Sequence, residues 1–205
     1  MRKWVGLLAF LGGSLSCFAA NAADTIKIAV VGPITGPVAQ YGKMQMDGAS
    51  MAVEQLNARG DTNGKKLEAV LIDDVCEPKQ AVAVANKIVN DGISFVVGHL
   101  CSGSTQPASD IYDEELVLMI TPASTNPAIT ERGFPLVFRT IGLDNQQGSV
   151  AGQFIVEKIK PKKVAVIHDK QQYGEGVARE VKKYLEANDI KPVLFEGVNK
   201  GDVDF

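Results

Sequence analysis

Two clusters of small hydroxyl residues stand where this sequence could do chemistry. A short apolar run over residues 95–98 leads into His99-Leu100-Cys101-Ser102-Gly103-Ser104-Thr105, and a second run over 117–120 leads into Thr121-Pro122-Ala123-Ser124-Thr125. Each cluster falls at the end of a predicted strand, and the first also opens a predicted helix. Hydroxyls and free backbone N–H groups are thereby gathered at the carboxyl edge of a sheet, where open α/β folds bind ligands. No metal set, strong base or phosphate loop accompanies them. The combination predicts a site that holds a small anionic or zwitterionic molecule without reacting with it.

Other chemistries fail on spacing. Gly36 and Gly42-Lys43 are separated by five residues where a phosphate loop has four, and Met44 stands in place of the magnesium-binding Ser or Thr. Gly32 and Gly36 do not form the dinucleotide fingerprint. Leu100 occupies the place of the glycine that precedes a nucleophile elbow, which counts against Ser102 as a hydrolase nucleophile. A triad of Ser102, Asp110 and either His99 or His168 exists only on paper, because triads are defined by geometry. A thiol-imidazole metal site using His99 or His168 fits no zinc spacing. Asp73-Asp74 resembles a phospho-acceptor pair but is expected to be two solvated loop carboxylates, and both histidines are expected to be hydrogen-bonded structural groups. Tyr41 and Tyr173 each follow a strand by a loop. They are either half-buried packing residues or the aromatic wall of a small-molecule cleft. Ser102 and Thr125 also suit a helix N-cap and a turn, roles compatible with ligand binding.

The elements that must position these residues alternate regularly. The apolar run 26–32 predicts a strand buried on both faces, followed by a loop over 33–42 punctuated by Pro33, Gly36, Pro37 and Gly42. The next helix carries Ala49, Ala52, Val53 and Leu56 on one face and stops at Gly60. A strand over 67–72 is followed by a helix from Pro78 to Asn90 burying Ala81, Val84, Ala85 and Ile88. Strand 95–98, a helix over 104–115, strand 117–121 and strand 136–141 come next. A helix over 146–159 precedes strand 164–168, a Tyr173-Gly174 turn, a helix burying Val177, Val181, Tyr184 and Leu185, and a last strand over 192–195. This order predicts a doubly wound parallel sheet. A short internal echo, Ala29-Val30-Val31 with Tyr41-Gly42 against Ala165-Val166-Ile167 with Tyr173-Gly174, fits two lobes of similar topology with a crossover over 142–146.

The N-terminus reads as a secretory signal peptide: Arg2 and Lys3, an apolar run over 4–15, and Ala20-Asn21-Ala22 as the cleavage site, giving a mature start near Ala23. The apolar run is too short to span a bilayer, and Ser14-Leu15-Ser16 is a poor lipobox for Cys17. Cleavage would lower Lys+Arg from 21 to 19 against 24 Asp+Glu, a formal charge of −5. No basic patch suggests nucleic acid. Cys76 and Cys101 would remain in an oxidising compartment, and an intramolecular disulfide is the natural pairing, worth about 3 to 3.5 kcal/mol by loop entropy. The close on Val203-Asp204-Phe205, without a cap or final helix, reads as a fragment.

Residues 32–42 resemble the first loop of the leucine/isoleucine/valine-binding proteins of bacterial ABC importers. Asp73-Asp74-Val75-Cys76-Glu77-Pro78-Lys79-Gln80-Ala81 and its continuation to Lys87 are similar to that family nearly residue for residue. So are Gly98-His99-Leu100-Cys101-Ser102, residues 104–112, and His168-Asp169-Lys170-Gln171-Gln172-Tyr173-Gly174-Glu175-Gly176. The resemblance implies a type I periplasmic binding protein with two α/β lobes joined by a hinge, here residues 23–143 and the start of a second lobe over 144–205. It implies a non-enzymatic monomer without a cofactor that delivers branched-chain amino acids to a membrane permease. The ligand carboxylate would meet Ser102 and Thr125, and the ammonium the Ala123 carbonyl and an acid of the second lobe beyond residue 205. Tyr41, Leu100, Cys101, Ser124 and Tyr173 would line the side-chain pocket. Ser124 departs from the alanine common in close relatives, and Tyr41 suits the broad branched-chain type. Another amino acid or a small amide is the alternative ligand, and an exported serine hydrolase the alternative class.

Overall fold

A computed structural model describes residues 25–60, 62–199 and 201–204. The predicted signal peptide with Cys17 lies outside the described residues. Strand β1 (Thr25–Gly32), helix α1 (Ala39–Arg59), β2 (Lys66–Asp73), α2 (Pro78–Asn90), β3 (Phe95–Gly98), α3 (Ser102–Glu114), β4 (Leu118–Thr121) and β5 (Val137–Arg139) follow one another. They build a parallel sheet in the order β2-β1-β3-β4-β5. Helix α4 (Asp144–Phe154) and a π-helical turn over Ile155–Ile159 then lead to β6 (Ala165–His168), α5 (Gln172–Ala187) and β7 (Leu194–Gly197). The last two strands pair in parallel as a separate sheet.

The chain reverses direction of travel across the first sheet at β1, which has β2 on one side and β3 on the other. In a doubly wound sheet that switch point opens a crevice at the carboxyl ends of the strands. The period-two alternation along β1 divides its side chains between two helix layers. Ala29 and Val31 face the core made by Ala81, Val84, Ala85 and Ile88 of α2 and Ala108 and Tyr112 of α3. Full burial of Ile88 and Met119 contributes about 2 kcal/mol each by area. A smaller core of Val166, Ala178, Val181 and Leu185 holds α5 on the second sheet.

Several expected boundaries move, each for a local reason. Helix α1 starts at Ala39, so Tyr41 and Gly42 lie in its first turn. A Cβ on Gly42 would sit 1.7 Å from the Pro33 carbonyl oxygen, so only glycine lets the helix pack against the preceding loop. Tyr173-Gly174 is likewise the first turn of α5, where a Cβ on Gly174 would sit 2.2 Å from Asp169 Oδ1. The Tyr-Gly echo therefore marks the same close approach after β1 and after β6. Helix α3 begins at Ser102, two residues earlier than expected. The expected packed face of α1 is instead half open. Ala49, Val53 and Leu56 line an apolar groove of about 670 Å³ with Ile28, Val30 and Val97, and Ala52 is exposed.

Cys76 and Cys101 are joined as a disulfide, with Cα atoms 5.5 Å apart. The bond ties the loop after β2 to the loop after β3. Val75 and Cys76 both take left-handed backbone angles, an arrangement held by Asp73 Oδ1 accepting from Val75 N at 2.9 Å and Asp74 Oδ1 from Cys76 N at 3.0 Å. Intact mass of exported protein should fall short of the dithiol by two hydrogens. Replacing both cysteines by serine should lower unfolding free energy by about 3 kcal/mol. Free thiols, or an unchanged denaturation midpoint, would contradict the pairing.

Candidate functional site

The carboxyl ends of β3 and β4 are stitched together by hydroxyls. Thr121 Oγ1 donates to the His99 carbonyl at 2.7 Å and accepts from Ser124 N at 3.0 Å. Ser124 Oγ lies 2.9 Å from the Leu100 carbonyl and 2.5 Å from Thr105 Oγ1, which itself donates to the Cys101 carbonyl at 3.0 Å. Ser124 is fully enclosed by these bonds, so its side chain faces the interior and not the side-chain pocket expected for it. The sequence shows the hydroxyl but not its direction.

Beneath this seam lies a buried polar chain. His99 Nδ1 is 2.7 Å from Asp74 Oδ2, and its Nε2 is 3.1 Å from the Tyr112 hydroxyl. A carboxylate can only accept, so Nδ1 carries the hydrogen and Tyr112 donates to Nε2. Burial, and then the charge of Asp74, raise the Tyr112 pKa above its ordinary value, so the phenol keeps its proton. Both nitrogens of His99 are thus occupied, and neither serves Ser102. Asp110 pairs with Arg132 on an exposed part of α3. His168 accepts from Lys170 N at 3.2 Å and lies against the Phe195 ring. Among the described residues no group of His, Cys, Asp and Glu is placed to hold a metal ion.

The expectation of a solvated Asp73-Asp74 pair is corrected. Asp74 is completely buried, as the partner of His99. Asp73 accepts from Thr35 Oγ1 at 2.6 Å, Ile34 N at 2.8 Å and Val75 N. Its modest burial would raise its pKa, but these hydrogen bonds outweigh that and lower it.

A cleft of about 460 Å³ opens at the switch point between β1 and β3. Tyr41, Leu100, Cys101, Ser102 and Ala123 line it from the first sheet's elements, and Tyr173 from α5 of the second. Val38, Cys76, Gly103, Asp169 and Gln171, which the sequence did not mark as pocket residues, complete the lining. Tyr41 and Tyr173 are about half exposed, and Tyr173 shares a hydrogen bond of 3.0 Å with Gln147. Asn126 Nδ2 donates to the Gln172 carbonyl at 3.2 Å, joining the two walls at their base. Ser102, the first residue of α3, lines the cleft although it is nearly buried, with its hydroxyl accepting from Asn126 N at 3.4 Å. The opening of that helix carries N–H groups without intrahelical acceptors.

The loop after β4 presents complementary groups. Arg139 donates to the carbonyls of Ser124 at 3.1 Å and Asn126 at 2.8 Å, and also to Thr130 Oγ1. Asp144 N donates to the Thr125 carbonyl at 3.0 Å. Among the described residues the Ala123 carbonyl accepts no hydrogen bond and the Thr125 N–H donates none. The Thr125 hydroxyl is sealed from solvent without a hydrogen-bond partner, so the side chain does not line the cleft. The Asp144 carboxylate is also buried and without a hydrogen-bond partner. Burial raises its pKa, opposed by the nearby Thr125 hydroxyl and Arg139 and reinforced by Glu180 of α5. Arg139 and Asp144 were missed in the sequence. Their only signal there is a lone arginine in an apolar strand and an aspartate opening a helix.

Against this geometry, the family profile described as periplasmic binding protein matches residues 25–205, and the chain belongs to that family. It is 67% identical over 184 residues to the leucine-, isoleucine-, valine-, threonine- and alanine-binding protein of Pseudomonas aeruginosa, covering 90% of this chain and 49% of that relative. It is 54% identical over 199 residues to the Leu/Ile/Val-binding protein of Escherichia coli K12, covering 96% of this chain and 54% of that relative. A branched-chain amino acid transporter substrate-binding protein of Streptococcus pneumoniae, solved in complex with isoleucine, superposes with a TM-score of 0.78 at 31% identity. That match covers 89% of this chain and 52% of the other. The fold is that of the type I periplasmic binding proteins. The chain spans about half the length of the curated relatives it matches.

A group with a raised native pKa favours folding below the ordinary carboxylate range and loses that contribution as pH rises through its native value. Asp144→Asn should therefore be more stable than wild type at pH 7, by about 1 kcal/mol for a buried group freed of its charge. The advantage should shrink as pH falls through the raised native value and be gone below about pH 4, where the unfolded carboxyl is protonated as well. Denaturant titrations across pH check this. A variant less stable than wild type at pH 7 would show that attraction to Arg139 outweighs burial.

Proposed function

We propose that this chain forms the gripping part of a periplasmic substrate-binding protein that captures leucine, isoleucine and valine between two lobes and delivers them to the membrane permease of an ABC importer. The lobes are residues 23–143 and the segment beginning at 144, and residues 1–22 direct export and are then removed. The protein is a non-enzymatic monomer that binds no nucleic acid. One observation carries the reading. The cleft at the β1/β3 switch point joins Ser102 and the N-terminus of α3 to two tyrosine walls, in a chain 67% identical to a relative named for these ligands.

In this reading the ligand carboxylate sits on the Ser102 hydroxyl and the N–H groups of Ser102 and Thr125. The ammonium meets the free Ala123 carbonyl and an acid outside this chain. Tyr41, Leu100, Cys101 and Tyr173 enclose the aliphatic side chain. An oxyanion recognised by a helix N-terminus and one hydroxyl needs no metal. A broader preference is the second reading, favoured because the Pseudomonas aeruginosa relative is also named for threonine and alanine.

Ser102→Ala in the full-length protein should weaken leucine binding about 10- to 100-fold, the usual worth of a hydrogen bond to a charged group. Calorimetric titration checks it. Unchanged affinity would leave the Ser102 hydroxyl only its tie to Asn126 N, since Cys101 and not Ser102 is the N-cap of α3.

A further inference from the structure

We infer that Arg139 is a positioning residue for the ligand's carboxylate: by drawing two carbonyls of the loop after β4 inward, it turns the Thr125 N–H toward the cleft. The inference rests on the binding function proposed above. Arg139 stands at the end of β5, in register with Thr121. Its Nη1 holds the Ser124 carbonyl at 3.1 Å and the Asn126 carbonyl at 2.8 Å, and its Nη2 reaches Thr130 Oγ1. Between them the Thr125 carbonyl is held by the Asp144 N–H at 3.0 Å. Three successive carbonyls are therefore each held by a donor, two by Arg139 and one by the Asp144 N–H.

A trans peptide is planar, and its C=O and N–H point in opposite directions. Fixing the Ser124 carbonyl on Arg139 fixes the Thr125 N–H away from Arg139. That N–H has no acceptor among the described residues, whereas the next one, Asn126 N, is taken by Ser102 Oγ at 3.4 Å. The same bond places the loop directly beside the first residue of α3. Ala123, one residue before the clamp, lines the cleft and keeps its carbonyl free. The loop thus offers one donor and one acceptor, a match to a zwitterion. Burial lowers the Arg139 pKa, against the attraction of Asp144 and Glu131, but an arginine so shifted still carries its charge. Lysine could not do all of this work, because Arg139 sets one guanidinium nitrogen on the two carbonyls and the other on Thr130 Oγ1, a fixed plane of donors that a lone ammonium lacks.

Leucine and leucinamide separate this role from general scaffolding, because the amide keeps the ammonium and side chain and lacks the carboxylate. In the full-length protein, Arg139→Met should weaken leucine binding about 10- to 100-fold, the loss of one charge-assisted hydrogen bond. Leucinamide affinity should change less than about 3-fold, within half a decade of binding energy. Arg139→Lys should lose most of the same factor, and it carries the test if the methionine variant does not fold. Parallel losses for both ligands would make Arg139 a scaffold residue and overturn the inference. Wild-type leucine affinity in Arg139→Lys would assign the effect to charge and overturn it as well. Wild-type protein that binds neither ligand would overturn the proposed function, and the inference with it.

Discussion

The site depends on the seam between the ends of β3 and β4. Parallel strands stop hydrogen-bonding to each other at their last residues, and their terminal carbonyls and N–H groups then need other partners. Here the hydroxyls of Thr121 and Ser124 supply them, taking the carbonyls of His99 and Leu100. The two loops that carry Ser102 and Ala123 are thereby locked to each other before any ligand arrives. Preorganisation of this kind lowers the ordering cost of binding.

A second tie reinforces the first. The Asp74–His99–Tyr112 chain and the Cys76–Cys101 disulfide join the ends of β2 and β3 to α3. Removing one member of such a buried hydrogen-bonded chain leaves an unsatisfied group, which typically costs about 1 to 3 kcal/mol and more where that group is charged. The cleft is therefore floored by three strand ends whose relative positions are overdetermined. Its far wall, from β6 and α5, is joined more lightly, through Asn126 with Gln172 and a contact of Gln172 with Gln106. A firm wall facing a lightly attached one is the arrangement that lobe closure requires.

Much of this was legible in the residues. Near-continuous apolar runs at 26–32 and 95–98 mark strands, and their alternation with helical periodicity gives a parallel sheet, although one face of β1 and β3 borders the open groove beside α1. The strand-end positions of Ser102 and Ala123 follow from that order alone. What escaped was direction. Ser124 and Thr125 carry the expected hydroxyls, but the first is enclosed by carbonyls and the second faces the interior. Asp74 reads as a solvated loop residue until His99, 25 positions away, is placed beside it. Gly174 reads as a turn because glycine's conformational freedom and its lack of a side chain look the same in one sequence. Arg139 gave little signal because its partners are backbone carbonyls, which every residue has.

The central claim is that the ligand enters the polar cleft at the β1/β3 switch point and not the larger apolar groove beside α1. Amide chemical shifts of isotope-labelled full-length protein, followed as leucine is added, test that most directly. The account predicts the largest changes at the amides of Ser102, Gly103 and Thr125, where a carboxylate would accept from N–H groups. Changes concentrated instead along Ala49, Val53 and Leu56, with the amides of Ser102 and Thr125 unmoved, would contradict it.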